Sequence, residues 1–127
     1  MISRRILIAA SIAAALALPA AASAAEAPAK KSGDVLVNST GMTLYVFDKD
    51  QGSPGKSVCN GGCAANWPPH MAPADAKSSG DYTVVTRDDG TKQWAYKGRP
   101  LYLWVKDKQA GDKTGDNVGS VWHVVKD

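Results

Sequence analysis

The chemistry available to this chain is concentrated in one stretch, Cys59-Asn-Gly-Gly-Cys63-Ala-Ala-Asn-Trp67-Pro-Pro-His70-Met71, which holds both cysteines and one of the two histidines. Two thiolates, an imidazole and a thioether are soft ligands suited to copper. Cys59, Cys63, His70 and Met71 would on that reading form a copper-binding or thiol-redox cluster. Their spacing departs from that of the dinuclear copper sites of oxidases and of copper-delivery cysteine pairs. The simpler reading joins Cys59 to Cys63 in a structural disulfide, which an exported chain with only two cysteines can keep. A bridge across so short a loop is expected to contribute ~1 to 2 kcal/mol.

The aspartates are the next candidates. Asp48-x-Asp50-x-Gly52 starts like a calcium loop, but the twelfth position is Cys59, where a bidentate Glu is required. A second acidic stretch, Lys106-Asp107-Lys108, offers a single carboxylate. Asp50 and Asp107 are expected instead to close strands by accepting hydrogen bonds from turn amides. Catalysis finds little support. His70 and His123 have no recognisable nucleophile beside them in sequence, Glu26 is the only glutamate, and no aspartate has the apolar flanks that would raise its pKa. The expectation is a non-enzyme with no catalytic residues and no cofactor, copper being the alternative.

The elements that must position these residues are set by a duplication. Gly41-Met-Thr-Leu-Tyr-Val-Phe-Asp-Lys-Asp50 recurs as Gly98-Arg-Pro-Leu-Tyr-Leu-Trp-Val-Lys-Asp107, so the unit reads G-x-x-L-Y-x-[FW]-x-x-D. Each copy is followed by its own tryptophan, Trp67 in the first and Trp122 in the second. Tyr45, Phe47, Asp50, Tyr102, Trp104 and Asp107 are therefore the motif residues. Exposed together, their aromatics would make a stacking or interface platform; buried, they would fill the core of a small β domain.

Val35–Val37, the turn residues Asn38 to Gly41, and Thr43–Phe47 read as a hairpin. Residues 93–96, 97–100 and 101–104 repeat that design, and the strand 81–86 leads through Arg87-Asp-Asp-Gly90 into a three-stranded meander. A last strand over 121–125 is expected to pair inward. Leu44 and Val46 alternate with Tyr45 and Phe47, so that strand is apolar on both faces and central; Leu101 to Trp104 read alike. One short helical turn fits Cys63 to Trp67, with Pro68-Pro69 stopping it. The fold class is thus all-β, a small single domain of antiparallel hairpins in two pseudo-repeats, about 34–80 and about 81–127, sharing one aromatic core.

The first 24 residues read as a signal peptide. Arg4 and Arg5 precede an apolar run from Ile6 to Leu18, and Ala22-Ser23-Ala24 offers a cleavage site. Ser3 to Leu7 also resembles a twin-arginine signal. Residues 25–33 read as a disordered leader. The chain is then periplasmic or secreted, with no transmembrane segment after cleavage, because the apolar run is short of the ~20 residues a span needs. Loss of Arg4 and Arg5 leaves 13 of the 15 basic residues against 12 acidic ones. With signs alternating along the chain there is no basic face, and nucleic acid is excluded as a partner.

Tyr45-x-Phe47-x-x-Asp50 and Tyr102-x-Trp104-x-x-Asp107, with Cys59-x-x-x-Cys63-Ala-x-x-Trp67-Pro-Pro and Trp94-x-Tyr96-x-Gly98-x-Pro100-Leu-Tyr102, resemble the bacterial secreted-repeat family of small exported proteins and predicted lipoproteins, described by a Y-x-[FWY]-x-x-D motif. The resemblance runs from Asp34 to Asp127. It implies export and a repeated β fold but no reaction. Many members are lipoproteins, and no lipidation cysteine lies near the cleavage site here, so a free protein is expected. The function read from these observations is an exported, non-enzymatic envelope protein that binds an envelope component or protein, or serves as a structural module.

Overall fold

A computed structural model describes residues 28–52 and 55–126. The signal peptide expected over 1–24 and the first leader residues lie outside them. Strand β1 (Lys30–Ser32) pairs antiparallel with β2 (Val35–Val37). The leader expected over 25–33 therefore ends earlier: Ala29 is buried, and Lys30 lies opposite Val37. Lysines and a serine carry no apolar signal, and pairing with an apolar neighbour orders them.

β2 meets the next segment more briefly than a hairpin would. Thr43 bridges Val37, and the Leu44 amide donates to the Leu36 carbonyl at 3.0 Å. The Asn38 side chain ties the turn by accepting from the amides of Thr40 and Met42, both at 3.0 Å. Beyond that point β3 (Tyr45–Phe47) leaves β2 and pairs with β8 (Trp122–Val124), aligning Tyr45 with Val124 and Phe47 with Trp122. The C-terminal strand does pair inward.

The meander is present. β5 (Tyr82–Thr86) and β6 (Lys92–Tyr96) form a hairpin closed by the Arg87 amide on the Thr91 carbonyl at 2.8 Å. β6 turns into β7 (Arg99–Pro100) through Lys97 and Gly98, both left-handed at φ 51° and 84°, which is the conformation a two-residue hairpin loop requires. β4 (Met71–Ala72) flanks β6 on its other side. Leu101 to Trp104 is not a regular strand. Its backbone is nevertheless held on two sides: Tyr102 exchanges both hydrogen bonds with Tyr45 at 2.8 and 2.9 Å, while the Leu101 carbonyl and Leu103 amide bond His70 and Pro68. The helical turn is α1 (Gly62–Asn66). With two 3-10 turns, Asp48–Gly52 and Val118–Ser120, it is the helical content among the described residues.

The alternation along β3 and its counterpart divides the interior in two. Leu44, Val46, Leu101 and Leu103 face one side with Leu36, Tyr96 and Val125; Tyr45, Phe47, Tyr102 and Trp104 face the other with Trp67 and Trp122. The single aromatic core expected from the sequence is thus one of two, and both repeats contribute to each. Four rings of the aromatic core form a column. Trp104 stacks on Trp67 with centroids 3.9 Å apart, Trp67 on Trp122 at 3.8 Å, and Trp122 on Phe47 at 4.1 Å. Tyr45 and Tyr102 meet Trp67 and Trp122 edge-on. The order, motif ring, distal Trp, distal Trp, motif ring, reads the same from either end, as a pseudo-two-fold axis demands.

Gly115 lies against this column. A Cβ there would sit 2.8 Å from the Trp67 ring and 2.9 Å from that of Trp104, closer than a Cβ can stand without one of the rings shifting. Gly115→Ala is expected to destabilise the fold by about 1 to 3 kcal/mol through overpacking. Urea unfolding followed by tryptophan fluorescence checks this, and an unchanged midpoint would contradict the column's packing.

Candidate functional site

The motif residues converge on the pseudo-symmetry axis. Tyr45 and Tyr102 are fully buried at 0% exposure, and Asp50 and Asp107 are 3% and 6% exposed. They do not pair within their own repeats. The Tyr45 hydroxyl donates to Asp107 Oδ2 at 2.7 Å, and the Tyr102 hydroxyl donates to Asp50 Oδ2 at 2.6 Å. Each tyrosine thus closes on the aspartate of the other copy. The second carboxylate oxygen holds a loop. Asp50 Oδ1 accepts the Val58 amide at 2.8 Å, and Asp107 Oδ1 accepts the Thr114 amide at 2.9 Å and its hydroxyl at 2.6 Å. The expected role of these aspartates with turn amides is present, but the amides lie seven or eight residues downstream and the cross-repeat tyrosine is an added partner.

Each tyrosine oxygen also accepts a hydrogen bond, and here the repeats diverge. Tyr45 Oη accepts the Gly115 amide at 3.1 Å. Tyr102 Oη lies 2.5 Å from Ser57 Oγ, and because the Tyr102 proton points to Asp50, Ser57 is the donor. Ser57 Oγ in turn accepts from Arg87 Nη1 at 2.8 Å. Arg87 is 5% exposed and spends its guanidinium on Gln93 Oε1, the Cys59 carbonyl and Asn60 Oδ1 as well, at 2.8, 2.7 and 3.0 Å. Gln93 completes the chain by donating to the Leu101 carbonyl at 2.7 Å. Among the described residues every buried side-chain nitrogen and oxygen has a partner.

Burial, reinforced by the bond to a carboxylate, pushes both tyrosine hydroxyls well above their ordinary pKa. Burial also raises the Asp50 carboxyl, opposed by Tyr102, the Val58 amide and the Arg87 charge. These shifts mark groups shielded from water. Proton transfer to a substrate needs the opposite, an accessible group of adjustable charge.

The cysteine stretch is divided. Cys59 and Cys63 form a disulfide, with Cα atoms 5.2 Å apart, that packs against the aromatic core. Both sulfurs are therefore committed to each other. His70 lies in the irregular segment between α1 and β4, where its Nε2 meets the Pro28 carbonyl at 2.6 Å and burial lowers its pKa. Met71 sits next to it in β4, 48% exposed and opposite Gln93. No group of three His, Cys, Asp or Glu side chains able to hold a metal occurs among the described residues.

Arg87, Ser57, Gln93 and Gly115 escaped the sequence reading. Arg87 begins a turn and precedes Asp88 and Asp89, so it reads as solvated. The usable signal was strand period: Val85 is buried, and two positions on Arg87 falls on the same face. Phe47 and Trp104, at the ends of the column, are half-buried and are the motif residues nearest the surface.

The Tyr102 bond is measurable on its own. Tyr102→Phe leaves Asp50 Oδ2 without its tyrosine donor and the Ser57 hydroxyl proton without its acceptor, and a loss of about 1 to 3 kcal/mol is expected at neutral pH. The pH dependence has a defined sign. A tyrosine whose pKa is raised by folding keeps its proton in the native state above pH ~10 while the unfolded chain loses it, so stability is complete below that pH and falls as pH rises. The wild-type slope should exceed that of Tyr102→Phe by up to about 1.4 kcal/mol per pH unit in the alkaline range. Urea unfolding of both proteins in steps from neutral to alkaline pH reads the difference, and equal slopes would refute the assignment.

No curated protein and no solved structure matches the chain. No helix among the described residues is long and apolar enough to cross a membrane. A family model described as a secreted repeat of unknown function matches twice, over residues 28–71 and 83–126. Each match contains one Tyr-x-aromatic-x-x-Asp unit and one distal tryptophan of the column, so the two matched segments are the two halves related by the axis. The chain belongs to this family of secreted repeats, carrying two copies that complete one another in a single fold.

Proposed function

We propose that the chain is an exported, non-enzymatic protein of the cell envelope, periplasmic or released, that binds an envelope component or protein at the surface beside its repeats. The observation that carries this reading is the direction in which the motif residues face. Tyr45, Asp50, Tyr102 and Asp107 point inward and satisfy one another, which makes them scaffold. The motif's outward flank is different. At one end of the column Trp104 is half-buried, Val105 is 40% exposed, and Lys106 Nζ stands 5.8 Å from the Trp104 ring centroid. An aromatic ring with an aliphatic and a cationic neighbour suits a partner that combines apolar contact with a polar or anionic group. The backbone beneath this patch is fixed, since the Val105 amide donates to the Asn66 carbonyl at 3.1 Å.

Val105→Asp puts a charge into the patch without touching either core. Site-specific photo-crosslinking from position 106 in intact cells is expected to give a discrete adduct that Val105→Asp depletes several-fold. A spectrum of adducts identical in both proteins, or none in either, would remove the binding reading.

A further inference from the structure

Neither repeat can close its own core. The first has one regular strand pair to itself, β1 with β2; its β3 pairs with β8, its β4 with β6, and its Tyr45 backbone with Tyr102. The Leu36 amide donates to the Val125 carbonyl, and the Asp48 amide to that of Val121. Both buried carboxylates take their tyrosine from the opposite repeat. The contact between the distal tryptophans of the column also crosses from one repeat to the other. The covalent connection between the halves, by contrast, is slight. Pro73 to Gly80 is exposed throughout except for Ala76, which is half-buried.

From this we infer an interaction surface and its partner: the axial face of each repeat, bearing Tyr45, Asp50 and Trp67 or Tyr102, Asp107 and Trp122, fits the complementary repeat of a second copy of this chain. Opening at 73–80 lets the first repeat of one copy close on the second repeat of another. An exchanged dimer forms with every contact between the two repeats preserved twice. Domain swapping needs no new interface. The monomer prevails at low concentration because a short linker holds its halves at an effective concentration of about millimolar. The exchange becomes dominant where the chain is crowded beyond that range or where the monomer's own axial contacts are damaged.

Damage can be arranged so that only exchange repairs it. One full-length variant carries Tyr45→Ala with Asp50→Ala, the other Tyr102→Ala with Asp107→Ala. Alone, each breaks both tyrosine–carboxylate pairs and strands a buried Tyr and a buried Asp. In a mixed exchanged dimer the intact second repeat of the first variant meets the intact first repeat of the second. One unit then has both pairs restored, and the other has neither, with no Tyr or Asp of the motif stranded. Equimolar co-refolding from urea with the disulfide intact, read by native mass spectrometry, should make the one-to-one heterodimer the main folded species. Near-UV circular dichroism should return to at least half the wild-type signal per chain. Because the variants depend on recovery from damage, wild-type light and isotopically heavy chains are also co-refolded at millimolar concentration, where a mixed dimer that survives rapid dilution is expected. Either mixed dimer supports the inference. Absence of both overturns it, and so does a homodimer of one damaged variant as abundant as the heterodimer, since motif complementarity would then not select the partner.

Discussion

Two phenolic protons, each given to a carboxylate of the other repeat, are the constraint on which the rest of this structure depends. An ionised carboxylate withdrawn from water is costly unless charged or hydrogen-bonded partners surround it. Asp50 and Asp107 meet that demand from two directions: a tyrosine across the axis and an amide from the loop that follows their own motif. One carboxylate therefore fixes both a long-range contact and a local path. The loops at Val58 and Thr114 lead directly to the segments that carry Trp67 and Trp122, so the aromatic column stands where the carboxylates allow it. Edge-on contact of each tyrosine with a column ring ties the polar and apolar halves of the arrangement together.

The symmetry is one of position more than of chemistry. The donor to the tyrosine oxygen is a bare amide at Gly115 in one half and Ser57, backed by Arg87, in the other. Cys63 lies four residues before Trp67 and Val118 four before Trp122, and both pack against the same core. A disulfide holds the first of these approaches and a 3-10 turn the second. Arg87 explains why the first half needs more. Its guanidinium, rooted in the second repeat, grips the Cys59 carbonyl and Asn60, so the disulfide loop presents carbonyl oxygens inward to a buried cation.

Most of the architecture was legible in the residues. The duplication, the lack of long helices among the described residues, the turn at 87–90 and the two-faced apolar pattern of residues 44–47 and 101–104 are local signals, and local signals survive folding. Partner choice was not. Nothing in Thr43 to Phe47 distinguishes a neighbour at Val35–Val37 from one at Trp122–Val124, because an apolar central strand accepts either, and the closer one in sequence is the natural guess. The polar site was legible only in half for a related reason. Asp followed by turn residues describes a strand end well, yet a carboxylate has two oxygens, and the second one reached across the molecule. Arg87 lay hidden behind two acidic neighbours. The disulfide was readable from composition and compartment, whereas His70 was not: its contact with Pro28 depends on a strand, β1, that carries no apolar pattern.

The pairing of β3 with β8 also has a temporal side. β3 lies near the start of the described chain and β8 at its end, so the sheet that places Tyr45 and Phe47 waits for residues 122–124. Long-range pairing of this kind makes closure late, because the entropy of the intervening loop is lost before the contacts that offset it form. A chain emerging N-terminus first can pair β5 with β6 and gather most of the Leu36 cluster, but its aromatic column stays open without Trp122. A product truncated before Trp122 lacks one ring of the column and the partner of β3, and is left open to proteolysis. Integrity of the aromatic column thus rests on residues 122–124, some 75 positions away from the strand they complete.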